Sequence, residues 1–220
     1  MSIPQNIQQI EAAIAPNARL IAVTKTKPIT MLMEAYNASF KRYGENKVQE
    51  MVAKYEQMPK DIEWHLIGHL QSNKVKYIAP FVAMIHSIDS LRLLQEVNKQ
   101  ALKNSRIIDC LLQIFIAQEE TKFGLSEQEV EELLDSESYQ SLKNVRIVGL
   151  MGMASNTEDE TQIRKEFGGL KQFFDRLNRT YFTAAHQLTE LSMGMSNDYL
   201  LAVEEGSTLV RVGSAIFGSR

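Results

Sequence analysis

Two lysines stand where an apolar segment of the chain ends. The segment "LIAVTKTKP" runs from Leu20 to Pro28, and its lysines are Lys25 and Lys27. The apolar residues before them are typical of a buried strand, and a proline fits the first turn of a helix, where its missing N–H costs nothing. A lysine amine between a strand and a helix can act as a nucleophile towards a carbonyl. Taken alone, such a pair is usually a solvated pair of loop lysines.

Polar and small residues also follow most of the other apolar runs. They occur in the segments "GEN", "WHLIGHLQSNK", "GLMGMAS", "LSMGMSND" and "VRVGSAIFG". In the last segment, Gly213 and Ser214 offer backbone N–H groups, and in the one before it, Ser192 and Ser196 offer hydroxyls. Barrel enzymes commonly bind phosphate between these two loops. The pattern predicts a phosphorylated ligand that reaches across a barrel mouth towards the first lysine.

A lysine opposite a phosphate site indicates an imine with a phosphorylated aldehyde. Two classes of protein would use it: a sugar-phosphate aldolase, and a protein that binds pyridoxal 5'-phosphate (PLP). Arg211 favours the second class, because on the last strand it could reach a pyridine nitrogen, and a sugar phosphate gives it no comparable partner. The alternative for Arg211 is a salt bridge at the end of the barrel.

Eight apolar, β-branched runs alternate with amphipathic segments, and these elements must position the polar residues. Strands are predicted at Leu20–Thr24, Lys41–Gly44, Trp64–Gly68, Met84–Ile88, Ile107–Ala117, Val145–Met151, Leu188–Met193 and Thr208–Gly213. Helices are predicted at Ile7–Ile14, Pro28–Ser39, Lys47–Gln57, Asn73–Ala79, Leu91–Lys103, Ser126–Asp135, Asp159–Asn178 and Asp198–Glu205. This α/β alternation favours a single (β/α)8 TIM barrel over residues 1–220, with an extra N-terminal helix. The alternative is an open doubly wound sheet, which should have a glycine-rich first turn that this chain lacks.

The composition indicates a soluble globular protein. Of 220 residues, 44% are hydrophobic and 23% are charged, and the net charge of −3 gives no general attraction to nucleic acid or anionic membranes. The sequence has neither a run of apolar residues that could span a bilayer nor a secretory signal. Its one cysteine, Cys110, excludes an intrachain disulfide, fits a cytoplasmic location and is predicted to be buried.

The segments "AVTKTKP", "YGENKVQE", "WHLIGHLQSNK", "LMGMAS", "LSMGMSND" and "VRVGSAIFG" together resemble the YggS/PROSC family of PLP-binding proteins. That family is in turn similar to the N-terminal barrel domain of bacterial alanine racemase. The resemblance runs from about residue 3 to the end, and the combination of motifs is specific although each is weak alone. It implies a fold-type-III barrel that holds PLP as a Schiff base on the first lysine of the K-x-K pair, Lys25. Lys27 is then expected to face phosphate or solvent.

The resemblance also implies roles for the other site residues. Arg211 matches an arginine that faces the ring nitrogen of PLP. Asn46 matches a residue beside the ring and the Schiff base, and Met193 falls near the wall of the ring site. The positions that match the phosphate cradle are Ser192, Gly213 and Ser214. His65 and His69 are expected at the same barrel mouth, where their strand-to-loop spacing supports no metal site.

The chemistry of the predicted site argues against strong catalysis. Arginine stays charged and disfavours protonation of the ring nitrogen, whereas amino-acid carbanions on PLP need electron flow into that nitrogen. Racemases also need acid–base groups on both faces of the ring, and a second domain that would complete such a site is not found in this chain. We therefore expect a non-catalytic, monomeric PLP-binding protein that acts in vitamin B6 and amino-acid homeostasis. Its expected partners are PLP and apo PLP-enzymes, without nucleic acid or membrane; the alternative is a weak PLP-dependent amino-acid racemase.

Overall fold

Eight parallel strands close into a barrel in which each strand pairs with the next and the last pairs with the first. This computed structural model describes residues 2–118, 123–183 and 186–218. The strands are β1 (Arg19–Val23), β2 (Arg42–Glu45), β3 (Glu63–Leu66), β4 (Met84–Ile88), β5 (Ile108–Ile114), β6 (Val145–Gly152), β7 (Glu190–Ser192) and β8 (Leu209–Val212). The predicted (β/α)8 barrel is confirmed, and the open doubly wound sheet is wrong.

Helices occupy the connections between the strands. They are α1 (Ile3–Ile14), α2 (Ile29–Asn37), α3 (Val48–Gln57), α4 (Val75–Ile78), α5 (Leu91–Lys103), α6 (Glu127–Asp135), α7 (Glu137–Gln140), α8 (Glu160–Thr180), α9 (Tyr199–Glu204) and α10 (Ser214–Phe217). None of the helices in the described ranges is both long and apolar enough to cross a bilayer. The larger apolar core lies between this helical layer and the barrel, and Cys110 is fully buried in it, as predicted.

The N-terminal helix begins earlier than its apolar pattern indicates. Its cap is Ser2, whose hydroxyl accepts the N–H of Gln5, while the Gln5 side chain accepts the N–H of Ser2. One face of α1 is buried through Ile3, Ile7, Ile10 and Ile14. The Asn6 side-chain amide donates to the carbonyl of Ile216 in α10 at 2.9 Å. Helix α1 thus covers the side of the barrel where β8 is followed by a single helical turn.

The barrel interior contains a small apolar layer and a polar layer nearer the carboxyl ends of the strands. The apolar layer consists of Ile21, Met84, Leu111, Met151 and Leu209. His86 and Arg211 each lie two residues beyond a member of this layer on the same strand, and both are buried. Since side chains alternate along a strand, both point into the barrel and towards its carboxyl end.

Candidate functional site

A cavity of about 510 Å³ opens at the carboxyl end of the barrel, where barrel enzymes place their sites. It lies among the segments that follow β1, β2, β3, β6, β7 and β8. Apolar walls are supplied by Val23, Ile67, Met153, Ile163 and Met195. Five of the seven predicted cofactor-binding residues line the cavity: Lys25, Asn46, Arg211, Gly213 and Ser214.

The two lysines after β1 have different surroundings. Within the described part of the chain, the Lys25 side chain lines the cavity without a hydrogen bond or ion pair. Lys27 also lines the cavity, but its Nζ donates to the carbonyl oxygens of Gly218 at 2.8 Å and Phe217 at 3.4 Å. The bonds to α10 give Lys27 a partner within the protein, and the expectation that it also faces phosphate stays a prediction. Its ammonium binds the end of α10, where helix carbonyls lack partners within the helix.

Arg211 is 4% exposed and reaches the cavity from the polar layer of the barrel. Its guanidinium donates to the carbonyl oxygen of Ser192 at 2.8 Å, to the Ser192 hydroxyl at 2.5 Å and to the Gly152 carbonyl at 3.1 Å. These bonds use three of the five N–H donors of an arginine and leave the others for a ligand. Burial lowers the pKa of Arg211 to about 10, so the side chain stays charged near neutral pH. A salt bridge at the barrel end does not describe this environment.

Ser192 and Met193 are fully buried and lie outside the cavity wall. Ser192 is on β7 with its side chain inside the barrel, where its hydroxyl accepts from Arg211. Met193 alternates to the other side and packs in the core between barrel and helices. The structure therefore does not support the predicted contacts of Ser192 with phosphate and of Met193 with the ring. Ser192 holds Arg211 instead, and the methionines at the cavity are Met153 and Met195.

Small residues and N–H groups form one end of the cavity. The carbonyl of Gly213 accepts the N–H groups of Ile216 and Phe217, so those of Ser214 and Ala215 lie at the open end of α10. The N–H of Gly213 donates to the Ser196 hydroxyl at 3.2 Å, and Ser196 lines the same cavity. A Cβ on Gly213 would lie 3.1 Å from the Val23 carbonyl oxygen, so a larger residue would crowd the end of β1. This end has the donors and the close backbone approach that a phosphate group requires.

Asn46 follows β2 and lines the cavity. Gly68, after β3, lies so close to it that an added Cβ would be 2.5 Å from the Asn46 carbonyl oxygen. Only glycine at this position lets the backbone of the β3 loop approach that of Asn46. The pairing of these two loops fixes where the Asn46 amide enters the site.

A hydrogen-bonded chain of side chains runs from Arg211 into the barrel. His86 Nδ1 lies 3.0 Å from the Ser192 hydroxyl, and His86 Nε2 lies 2.9 Å from Nδ1 of His65. Because arginine can only donate, Ser192 accepts from Arg211 and its own O–H is free to donate to His86. His86 then donates to His65, whose Nε2 proton has no partner among the described residues. Burial lowers the pKa of His65 to about 3 and that of His86 well below its usual value, so both rings are neutral.

The structure separates the two histidines that were predicted together. His65 is buried within the barrel, whereas the side chain of His69 is half-exposed, with Nδ1 3.4 Å from a carboxylate oxygen of Asp89. The prediction that both lie at the mouth is thus wrong for His65. Sequence reasoning missed His86, although a histidine inside the apolar strand "MIHSI" signals a buried polar side chain that needs hydrogen-bond partners.

A buried ion cluster supports the turn that carries Lys25. The ammonium of Lys54 donates to Glu45 Oε1 at 2.6 Å, to Glu50 Oε1 at 2.7 Å and to the Thr24 carbonyl at 2.7 Å. Burial raises the pKa of the Glu45 carboxyl, against the lowering effect of Lys54. Sequence reasoning also missed this cluster, because a charged residue on a helix normally faces water.

Taken together, the cavity contains an unbonded lysine amine, a buried guanidinium with donors to spare and a cradle of N–H groups. Such a set can bind a phosphorylated, planar heteroaromatic aldehyde: the cradle binds the phosphate, the guanidinium a ring nitrogen, and the amine the aldehyde carbon. A sugar phosphate would offer the guanidinium hydroxyl oxygens but no ring nitrogen.

Comparison with known proteins agrees with this geometry. Residues 2–220 match the family described as "Alanine racemase, N-terminal domain". The chain is 43% identical to the "Pyridoxal phosphate homeostasis protein" of Aquifex aeolicus, over 92% of this chain and 87% of that protein. It is 38% identical to the protein of the same name from Schizosaccharomyces pombe, over 99% of this chain and 90% of that protein.

Solved structures show the same relationship. PipY of Synechococcus elongatus, determined with PLP bound, has 34% identity and a TM-score of 0.89, covering 99% of this chain and 100% of that chain. An alanine racemase from Clostridium difficile has 13% identity and a TM-score of 0.80, covering 100% of this chain and 57% of that chain, which shows a shared fold. The resemblance seen in the motifs is confirmed: the chain belongs to the alanine racemase N-terminal domain family and, within it, to the pyridoxal phosphate homeostasis proteins.

Proposed function

We propose that this protein binds PLP covalently through Lys25 and acts in PLP homeostasis. The observation that carries the proposal is the single cavity that brings together the Lys25 amine, the Arg211 guanidinium and the N–H groups around Gly213. Its volume, about 510 Å³, lies within the range of small-molecule and cofactor sites. The PLP-bound structure of the relative PipY supports the same ligand.

Each group of residues has a distinct task in holding the cofactor. The N–H groups of Ser214 and Ala215, with the hydroxyl of Ser196, bind the phosphate. Arg211, held by Ser192, donates a charge-assisted hydrogen bond to the ring nitrogen. Asn46 lies beside the ring. PLP itself supplies an aldehyde that condenses with a lysine amine and loses water.

We also propose that the protein holds PLP without turning over amino acids. Lys27 and Asp198 are other titratable residues that line the described part of the cavity. Both form hydrogen bonds within the protein: the Lys27 ammonium donates to the end of α10, and the Asp198 carboxylate accepts the N–H of Met195 at 2.6 Å. We infer that neither serves as a base opposite Lys25. A charged Arg211 at the ring nitrogen also disfavours the protonated ring that amino-acid carbanions need. The name of the curated relatives supports a homeostatic role.

Titration of the purified apo protein with PLP tests the binding proposal. We expect a visible absorption band that appears with one equivalent of PLP and that borohydride discharges. Unphosphorylated pyridoxal should bind at least tenfold more weakly, because it lacks the group that the N–H cradle binds. Equal affinities for the two would exclude a phosphate cradle, and the absence of any band would exclude the function.

Incubation with single amino acids tests the non-catalytic proposal. We expect neither loss of optical activity nor formation of keto acids in the loaded protein. Sustained racemisation would establish the alternative, a weak racemase. Three further properties stay predictions. A transfer assay tests whether PLP passes to an apo PLP-enzyme, sedimentation tests the monomeric state, and cell fractionation tests the cytoplasmic location.

A further inference from the structure

The ammonium of Lys54 is buried between β1, β2 and α3, on the far side of the barrel wall from the cavity. The side chain is 7% exposed, and its Nζ reaches three acceptors within 2.7 Å: the Thr24 carbonyl, Glu45 Oε1 and Glu50 Oε1. An ammonium has three N–H donors, so all of them are satisfied. Lys54, Glu45 and Glu50 form the buried ion cluster described above, which we name the ammonium cluster.

The ammonium cluster holds the backbone on both sides of Lys25. On one side it binds Thr24 twice, because the carbonyl accepts from Lys54 and the hydroxyl donates to Glu45 Oε1 at 2.6 Å. On the other side, the N–H of Thr26 donates to Glu50 Oε1 at 2.6 Å. One buried charge therefore connects both neighbours of Lys25.

The conformation of this turn needs such support. Thr26 has φ of 64°, in the left-handed region that β-branched residues rarely adopt. Strained backbone of this kind persists when surrounding contacts over-determine it, and it concentrates at functional sites. The Lys25 side chain now points into the cavity. Since Thr26 directly follows Lys25, relaxation of this strain would turn the lysine side chain away from the cavity.

Stability alone does not account for the ammonium cluster. Burying an ammonium with carboxylates generally gains no more than well-packed apolar residues of the same volume would. Glu45 also has a second carboxylate oxygen, Oε2, that is buried without a partner among the described residues. The cluster therefore contains a buried polar atom without a partner among the described residues, which costs stability. We infer that what it provides is a fixed arrangement of donors and acceptors around the turn.

We propose that Lys54, Glu45 and Glu50 are positioning residues that set the direction of the Lys25 amine and so accelerate its reaction with the aldehyde of PLP. In that reaction the Nζ lone pair forms a bond to the aldehyde carbon, nitrogen loses its protons, and the aldehyde oxygen leaves as water, without oxidation or reduction. The inference rests on the proposed function. It adds that residues outside the cavity control the rate of covalent capture and leave the non-covalent cradle unaffected.

Glu50→Ala tests the inference, with Glu96→Ala as the matched control. The side chain of Glu50 is 25% exposed and pairs with Lys54 at i,i+4, so its removal should leave a folded protein. Glu96 on α5 is 26% exposed and pairs with Lys99 at i,i+3. Two quantities are measured on the apo proteins: the rate at which the PLP absorption band forms, and the affinity for an analogue of PLP that carries a methyl group in place of the aldehyde.

We expect Glu50→Ala to slow capture of PLP about tenfold to hundredfold, the loss that a misplacement of about 1 Å causes. Its affinity for the methyl analogue should stay within about twofold of wild type, since that ligand cannot react with Lys25. Glu50→Gln keeps an oxygen for the Thr26 N–H and should recover most of the rate. Glu96→Ala should match wild type in both measurements.

Three results would overturn the inference. An unchanged capture rate in Glu50→Ala would show that the cluster does not act on Lys25. An equal loss of capture and of analogue affinity would assign the cluster to general folding of the site. Failure of the wild-type protein to capture PLP would overturn the proposed function, and the inference with it.

Discussion

The ammonium of Lys27 donates to the carbonyl oxygen of Gly218 at 2.8 Å and so connects the turn after β1 to the end of α10. Helix ends carry unsatisfied carbonyls and a partial negative charge, which favour a cation at this point. Lys25, two residues earlier, enters the cavity without a hydrogen bond in the described part of the chain. The two lysines of the K-x-K pair therefore have different surroundings, one bonded to the end of α10 and one open to the cavity.

Lys27→Ala should lower stability and keep the covalent capture of PLP. The loss of the bonds to the end of α10 is expected to reduce the free energy of unfolding by about 1 kcal/mol, measured by urea denaturation. The absorption band of bound PLP should still form. Lys25→Ala is the matched variant, for which we expect an unchanged unfolding midpoint and no band. A band that disappears in Lys27→Ala and persists in Lys25→Ala would reverse the assignment.

Arg211→Gln should weaken the binding of PLP without creating activity. Glutamine keeps some hydrogen bonding but removes the charge, and a hydrogen bond to a charged group contributes roughly 1.5–3 kcal/mol. The expected loss of affinity is about tenfold to hundredfold, measured by titration of the apo protein. Unchanged affinity would place the guanidinium outside the ring site, and racemisation by wild type that is lost in the variant would contradict a non-catalytic role.

Ser196→Ala and Ser192→Ala should have different effects, because Ser196 lines the cavity and Ser192 lies beneath Arg211. In Ser196→Ala, the concentration of inorganic phosphate needed to displace PLP should rise several-fold. In Ser192→Ala, inorganic phosphate should compete with PLP as well as in wild type. The free energy of unfolding should fall by about 1–3 kcal/mol, because buried Arg211 loses an acceptor and buried His86 loses a donor. Weaker phosphate competition in Ser192→Ala alone would restore the role that the sequence motif predicts for Ser192.

The stability of the protein should decrease as the pH falls below about 6.5, where an unfolded histidine takes up a proton. Burial lowers the pKa of His65 to about 3 and that of His86 well below its usual value, so the folded chain does not bind these protons. The unfolded state binds both histidine protons in this window, so each histidine contributes about 1.4 kcal/mol of lost stability per pH unit, while the raised pKa of Glu45 offsets part of that loss. Urea denaturation between pH 6.5 and 4.5 measures the slope.

His65→Asn should reduce the slope by about 1.4 kcal/mol per pH unit, the share of one buried histidine. His186→Asn is the control, because His186 is exposed and should leave the slope as in wild type. A slope that is the same in wild type and His65→Asn would mean that His65 is protonated in the folded protein, which would contradict the hydrogen-bonded chain of neutral rings.

The barrel and half of the site follow from local patterns in the sequence. Alternation of β-branched runs with amphipathic segments predicts the strands, and the carboxyl ends of parallel strands meet at one face. That places Lys25, Asn46, Arg211, Gly213 and Ser214 together, as the structure has them. Both loops of the predicted phosphate-binding motif reach the cavity, and of the two hydroxyls predicted after β7, that of Ser196 lines it whereas that of Ser192 does not.

What the sequence did not show depends on the direction of side chains and on contacts between distant segments. Strand β7 ends at Ser192, and the alternation along so short a strand places this residue inside the barrel, beneath Arg211. His65 and His86 meet across β3 and β4 only because the register of the sheet brings them together. Lys54 is buried only because Glu45, on another element, lies opposite it.

Mapping the site of attachment shows whether Lys25 is the residue that carries PLP. The protein is loaded with PLP, reduced with borohydride, digested and analysed by mass spectrometry. We expect one modified peptide with the adduct on Lys25 at close to one equivalent, and none in Lys25→Ala. An adduct on Lys27 or Lys54, or no adduct at all, would contradict this expectation.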